Sequence, residues 1–187
     1  MSDFTQLPEG LPVPVDDGAA DHLAGLAVPD LSLASTDGTT VSIRRLGAGR
    51  TIIYVYPLTG RPGVNLPAGW DEIPGARGCT PEACGFRDHH RELLDAGASA
   101  IYGLSSQDTA YQREFVERME LPFPILSDPE LALADAVGLP TFEAAGQQLY
   151  KRITLVIRDG AIEHVFYPIF PQNEHAGEVL GWLRSRG

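Results

Sequence analysis

Sulfur and positive charge are both scarce in this chain. Of its 187 residues only two are cysteine, and 14 lysines and arginines stand against 25 aspartates and glutamates, for a formal charge of −11. Two cysteines cannot build the disulfide-dense scaffold of a small secreted protein. Without clustered lysine and arginine the surface has no footprint for a phosphate backbone, which argues against nucleic acid as a partner. Long apolar runs are missing as well, since no segment approaches the roughly 20 residues that a membrane span needs. Residues 1–30 contain no lysine or arginine and are broken by Pro8, Pro12 and Pro14, so they do not read as a secretory leader. The expected location is cytoplasmic, where a close pair of cysteines signals redox chemistry or metal more often than a structural staple.

With 43% hydrophobic and 21% charged residues the chain can bury an ordinary globular core. Residues 1–28, rich in Pro, Gly and Asp, read as an arm, either wrapped on the domain or partly disordered, and residues 29–187 as one domain. Leu31 and Leu33, the Asp37-Gly38 turn, then Val41 and Ile43 predict an N-terminal β-hairpin. Residues 51–56 form a β-branched and aromatic run, which predicts a strand buried on both faces, and residues 100–105 a second. Helices are predicted over 79–97, 109–119, 129–137 and 176–183, and a hairpin over 153–166 about Asp159-Gly160. Strands alternating with helices and ending in a hairpin give an α/β fold with a mixed sheet.

Residues 58–78 hold five glycines and three prolines and are long for a structureless loop, so the segment is expected to be functional or an insertion. Leu66, Trp70 and Ile73 give it apolar side chains that could close over a site as a lid or cover a neighbouring subunit.

The cysteines stand at 79 and 84, at the start of the first long helix. Thr80 reads as its N-cap, Pro81 as its first helical residue and Glu82 as an acid in the first turn. An ordinary thiol is only about 3% ionised at pH 7, and unpaired N–H groups at a helix start favour the thiolate. That makes Cys79 the better nucleophile and Cys84, a turn further in, the less acidic thiol. Five helical residues separate two Cα atoms by about 8.6 Å, beyond the ~7 Å limit for a disulfide, so a bond between them requires the helix start to unwind. Inert buried thiols, and a zinc site completed by His89 and His90, are the alternatives; consecutive helical histidines point about 100° apart, which suits a metal poorly.

The peptide Gly78-Cys79-Thr80-Pro81-Glu82-Ala83-Cys84-Gly85-Phe86-Arg87-Asp88 resembles the active-site segment of the peroxiredoxin Q class, also called bacterioferritin comigratory proteins. Residues 29–33, 103–108, 121–128 and 151–157 resemble further segments of that family. The resemblance implies a thioredoxin-like fold, a central mixed sheet flanked by helices, and a thiol peroxidase that uses no metal or other cofactor. It implies that Cys79 attacks hydrogen peroxide or an organic hydroperoxide and that Cys84 resolves the sulfenic acid as a disulfide. Arg152 then supports the thiolate, Gly78 and Thr80 contact substrate, and thioredoxin or a similar dithiol re-reduces the pair in a monomer or homodimer. One departure stands out: the family's Pro-x-x-x-Thr-x-x-Cys places a threonine three residues before the cysteine, where this chain has Ala76, with Glu72 at the proline position. Thr59 is a candidate substitute. The rival reading is a non-catalytic thioredoxin-fold redox sensor or binding protein.

Overall fold

The computed structural model describes residues 4–187. Seven strands, β1 (Ser32–Ser35), β2 (Thr40–Ser42), β3 (Arg50–Val55), β4 (Ala98–Ser105), β5 (Ile125–Ser127), β8 (Ile153–Arg158) and β9 (Ala161–Phe166), form one mixed sheet in the order β2-β1-β5-β4-β3-β8-β9. Strands β3, β4 and β5 run parallel, and β8 lies antiparallel to β3. A separate antiparallel pair, β6 (Thr141–Ala144) and β7 (Gln147–Tyr150), lies outside it. The helices are α1 (Cys79–Asp88), α2 (His90–Asp95), α3 (Thr109–Met119), α4 (Ala132–Val137) and α5 (His175–Ser185). None of the described helices is long and apolar enough to cross a membrane.

Central strand β3 explains the layering. Its side chains alternate between faces, so Ile52 and Tyr54 pack with Phe86, Phe115 and Leu183, whereas Ile53 and Val55 pack with Leu133, Tyr150 and Leu23. Tyr54 stacks on Phe86 with ring centroids 4.5 Å apart and planes 10° off parallel, which fixes α1 against the sheet. Leu23, fully buried, comes from the N-terminal arm. Residues 25–28 continue onto the sheet edge, where Gly25 and Val28 donate to the carbonyls of Ile162 and Gly160 and so cover the open side of β9.

Both predicted hairpins are present, and in the β8–β9 turn Asp159 and Gly160 take φ of 52° and 77°, as a two-residue turn of this hand requires. Helix α3 has the predicted bounds because the Asp108 carboxylate caps it, accepting from the Tyr111 amide at 2.8 Å. Other expectations need correction. The single helix expected over 79–97 is two, broken at His89 (φ −95°, ψ 5°), because α1 packs on residues 172–174 and α5 while α2 packs on β4 and α5. The N-cap of α1 is Gly78, not Thr80, so Cys79 is the first helical residue and Pro81 the third, still among the positions whose N–H has no intrahelical acceptor. Helix α4 starts three residues late: buried Asp128 accepts the amides of Ala132 and Leu133, both at 2.9 Å, leaving 129–131 as a turn. The β6–β7 hairpin was not predicted, although Ala145-Gly146 between short apolar alternations is a turn signal.

Candidate active site

Antiparallel pairing of β3 with β8 sets Val55 opposite Ile153. The residue before β8, Arg152, therefore lies at the same sheet edge as Tyr56 and Pro57, which follow β3. This is the edge where the parallel strands end, and the 58–78 segment brings the start of α1 back to it. Trp70, 3% exposed, packs with Ala76 and Leu149, its ring 6.0 Å from that of Phe142. The loop is thus anchored on the unpredicted β6–β7 hairpin, which supplies the cover that Trp70 requires.

Arg152 is buried, at 4% exposure, and every edge of its guanidinium is occupied. Nε donates to the Gly75 carbonyl at 3.1 Å, Nη2 to those of Ala76 (3.1 Å) and Arg77 (3.2 Å), and Nη1 to the Glu82 carboxylate. Nη2 also lies 3.0 Å from Cys79 Sγ. A planar, permanently charged fork suits this task, since it holds three carbonyls of the loop and two acidic groups at once. The Cys79 thiol, itself buried, can donate weakly to the Ala76 carbonyl at 3.6 Å. Burial pushes that thiol up, the Arg152 charge is the largest influence pulling it down, Glu82 pushes it up again, and the Leu58 amide favours the thiolate.

Glu82 was missed as a site residue. In sequence it reads as a first-turn acid complementing the helix N-terminus; in the fold it has no exposure at all, one carboxylate oxygen on Arg152 and the other without a partner. Burial pushes its carboxyl upward against the pull of Arg152. One guanidinium therefore faces two acids, and the thiol and the carboxyl compete for its single charge. Glu82→Gln should accordingly lower the pKa of Cys79, read as thiolate absorbance near 240 nm against pH; an unmoved or raised titration would show that the carboxylate acts only by orienting Arg152.

Gly78, at φ +100°, and Thr80, 3% exposed, line a recess at Cys79 together with Phe4, Leu58, Gly60, Leu66, Trp70, Arg77 and Pro81. Its free volume is about 10 Å³, room for one water-sized molecule. Gly78→Ala should destabilise the fold by about 1–2 kcal/mol, because a Cβ there forces the left-handed conformation on an ordinary residue. It would also stand 2.7 Å from Leu7 Cδ1 and 3.2 Å from Gln172 Cβ. The urea midpoint measures this cost.

Cys84 is half-buried inside α1, and burial pushes its thiol up. Both sulfurs are free thiols on one continuous helix, which sets their Cα atoms about 8.6 Å apart by helix geometry. Thr59 does not line the recess: its hydroxyl donates to Gln107 Oε1 at 3.2 Å. The methyl of Ala76 packs in the Trp70 cluster and only its carbonyl reaches the site. Arg87 pairs with Asp88 and also donates to the Met119 carbonyl at 3.0 Å, tying α1 to the end of α3. His89 pairs with Glu92 and His90 lies against Phe123, and neither joins the cysteines in a metal-holding group among the described residues. A larger groove of about 300 Å³, lined by Val13, Val15, Phe142, Tyr167 and others, reaches Arg152 but not Cys79.

A central mixed sheet with a thiol on the first turn of the helix at its carboxyl edge, and an arginine on that thiol, defines a thioredoxin-fold protein of thiol redox chemistry. The chain belongs to the redoxin family, among its peroxiredoxins of the Q and Bcp type: the Redoxin family model matches residues 23–180. It is 32% identical over 166 residues to peroxiredoxin Bcp of Escherichia coli (strain K12), which covers 87% of this chain and 96% of that one. It is 30% identical over 161 residues to the chloroplastic peroxiredoxin Q of Oryza sativa subsp. japonica; that match covers 86% of this chain, which spans only 66% of the rice protein's length. Among solved structures it superposes on the Xanthomonas campestris bacterioferritin comigratory protein, described for its alkyl peroxide reduction activity, with a TM-score of 0.66, 25% identity and coverage of 95% and 98%. The thioredoxin-like fold and the family read from the 78–88 peptide are both borne out.

Proposed function

We infer that this chain is a thiol-dependent peroxidase, with Cys79 as the attacking thiolate and Cys84 as the resolving thiol. The observation that carries the reading is the guanidinium of Arg152 at 3.0 Å from the sulfur of Cys79, a residue that itself lines a small recess. In the first step the thiolate attacks the terminal peroxide oxygen. The S–O bond forms as the O–O bond breaks, Cys79 becomes a sulfenic acid, and the leaving oxygen takes a proton and departs as water or alcohol. Arg152 and the Leu58 amide support the thiolate, and Gly78 and Thr80 contact the substrate. In the second step, after the first turns of α1 unwind, the Cys84 thiolate attacks the Cys79 sulfur; the S–S bond forms as the S–O bond breaks, and the leaving hydroxyl takes a proton and departs as water. A dithiol such as thioredoxin then takes up the disulfide by exchange.

Hydrogen peroxide and organic hydroperoxides are the substrates, the latter because a relative of 25% identity is described as reducing alkyl peroxides. A cycle that depends on an external dithiol belongs in a reducing, cytoplasmic compartment. Residues 29–187 form the catalytic domain of a monomer or homodimer, and residues 1–28 an N-terminal arm, of which residues 1–3 lie outside the described residues. Peroxide consumption with thioredoxin, its reductase and NADPH tests the reading: many turnovers per chain support it, whereas one oxidation per chain that thioredoxin cannot reverse would identify a redox sensor.

A further inference from the structure

The recess at Cys79 is lined in part from outside the stretch matched by the family model, which begins at residue 23. Phe4 lines the recess, and its ring lies 5.6 Å from the Arg77 guanidinium carbon. The fit beneath the ring is tight, since a Cβ at Gly60 would stand 2.8 Å from Phe4 Cε1. Leu7 comes equally close to the helix cap, as a Cβ at Gly78 would stand 2.7 Å from Leu7 Cδ1. Further along, the arm is tethered by Asp17 to Lys151 and Tyr167, both at 2.8 Å, and by His22 to the Val137 carbonyl at 2.9 Å. These tethers fix the middle of the arm on the domain.

We propose that Phe4 and Leu7 are specificity-determining residues of the peroxidase, a plug that admits hydrogen peroxide and disfavours hydroperoxides carrying a bulky organic group. The proposal rests on the peroxidase reading. With the plug seated the free space is about 10 Å³, the room of one water, so hydrogen peroxide, with one more oxygen, needs only a slight shift of the plug. A cumyl or long alkyl group must displace the Phe4 ring before its terminal oxygen can reach the sulfur. The larger displacement adds more to the barrier for the bulky substrate, and that difference between substrates is what defines specificity.

Rate constants for a single oxidation of Cys79 by hydrogen peroxide and by cumene hydroperoxide, in the full chain, test the plug. The double variant Phe4→Ala/Leu7→Ala should raise the cumene-to-hydrogen-peroxide ratio about tenfold or more, the scale on which a pocket wall of one or two apolar groups discriminates. Gly60→Ala should raise it as well, because the new methyl pushes the ring aside. Phe4→Trp should lower it. A ratio unchanged in the double variant and in Gly60→Ala, or both rate constants falling in proportion, overturns the plug and leaves the peroxidase reading standing. A wild-type chain that neither peroxide oxidises removes both.

Discussion

Cys79→Ser is expected to abolish peroxide consumption, while Cys84→Ser retains one rapid oxidation per chain and leaves a sulfenic acid that dimedone traps. The asymmetry follows from position. Cys79 is the first residue of α1, with the Leu58 amide and the Arg152 charge on its sulfur. Burial pushes both thiols up, but Cys84 lies within the helix, where the nearby cation is Arg87, itself already paired with Asp88. A serine hydroxyl at 79 is far too weakly acidic to replace the thiolate, so the loss should be complete to the limit of detection. Mass spectrometry of the peroxide-treated variants checks the assignment. If Cys84→Ser failed to take up the first oxygen, the two roles would be exchanged.

Arg152→Ala should carry the second largest effect, in two quantities at once. The thiol loses its nearest positive charge, so its pKa rises and its reaction with hydrogen peroxide slows at least about tenfold, since a charge-assisted contact contributes roughly 1.5–3 kcal/mol. The fold loses stability too, by about 3–5 kcal/mol, because Glu82 is left as an uncompensated buried acid. The carbonyls of Gly75, Ala76 and Arg77 lose their donor in the same step. The pH dependence has a definite sign. Glu82 is already raised above its ordinary value of 4.5, so the native state holds that proton more tightly than the unfolded chain does. Its contribution is full below the ordinary carboxyl range and is lost as pH rises through the raised native value; removing Arg152 steepens that loss. Urea unfolding of wild type and variant between pH 4 and 8 measures it. Arg152→Lys keeps the charge without the fork and should recover the thiol pKa better than the stability. Equal stability and unchanged thiol ionisation in Arg152→Ala would make the arginine a passive part of the wall.

Elements whose signals are short-range could be read from the residues alone. Helix α3 is bounded by its own Asp108 cap and apolar period, and the β8–β9 turn by Asp159-Gly160. The chemistry of Cys79 and Cys84 is also local, since a helix start and a five-residue spacing are properties of one peptide. Where two distant segments share a job, the reading failed. Helix α4 begins late because Asp128 is buried and also accepts from the Tyr150 hydroxyl at 2.6 Å, a partner supplied by β7. Thr59 looked like a stand-in for a missing hydroxyl, yet Gln107, 48 residues away, already engages it.

By itself the sequence determined the class of fold, the family and the pair of thiols, because periodicity, turn residues and a capped helix start act over a few neighbouring residues. Only the tertiary structure decided what surrounds those thiols. Pairing of β3 with β8 sets Arg152 beside Cys79, burial turns Glu82 from a surface acid into a competitor for the same charge, and the arm returns Phe4 over the recess. Burial and long-range proximity are properties of the packed chain, and no window of residues carries them.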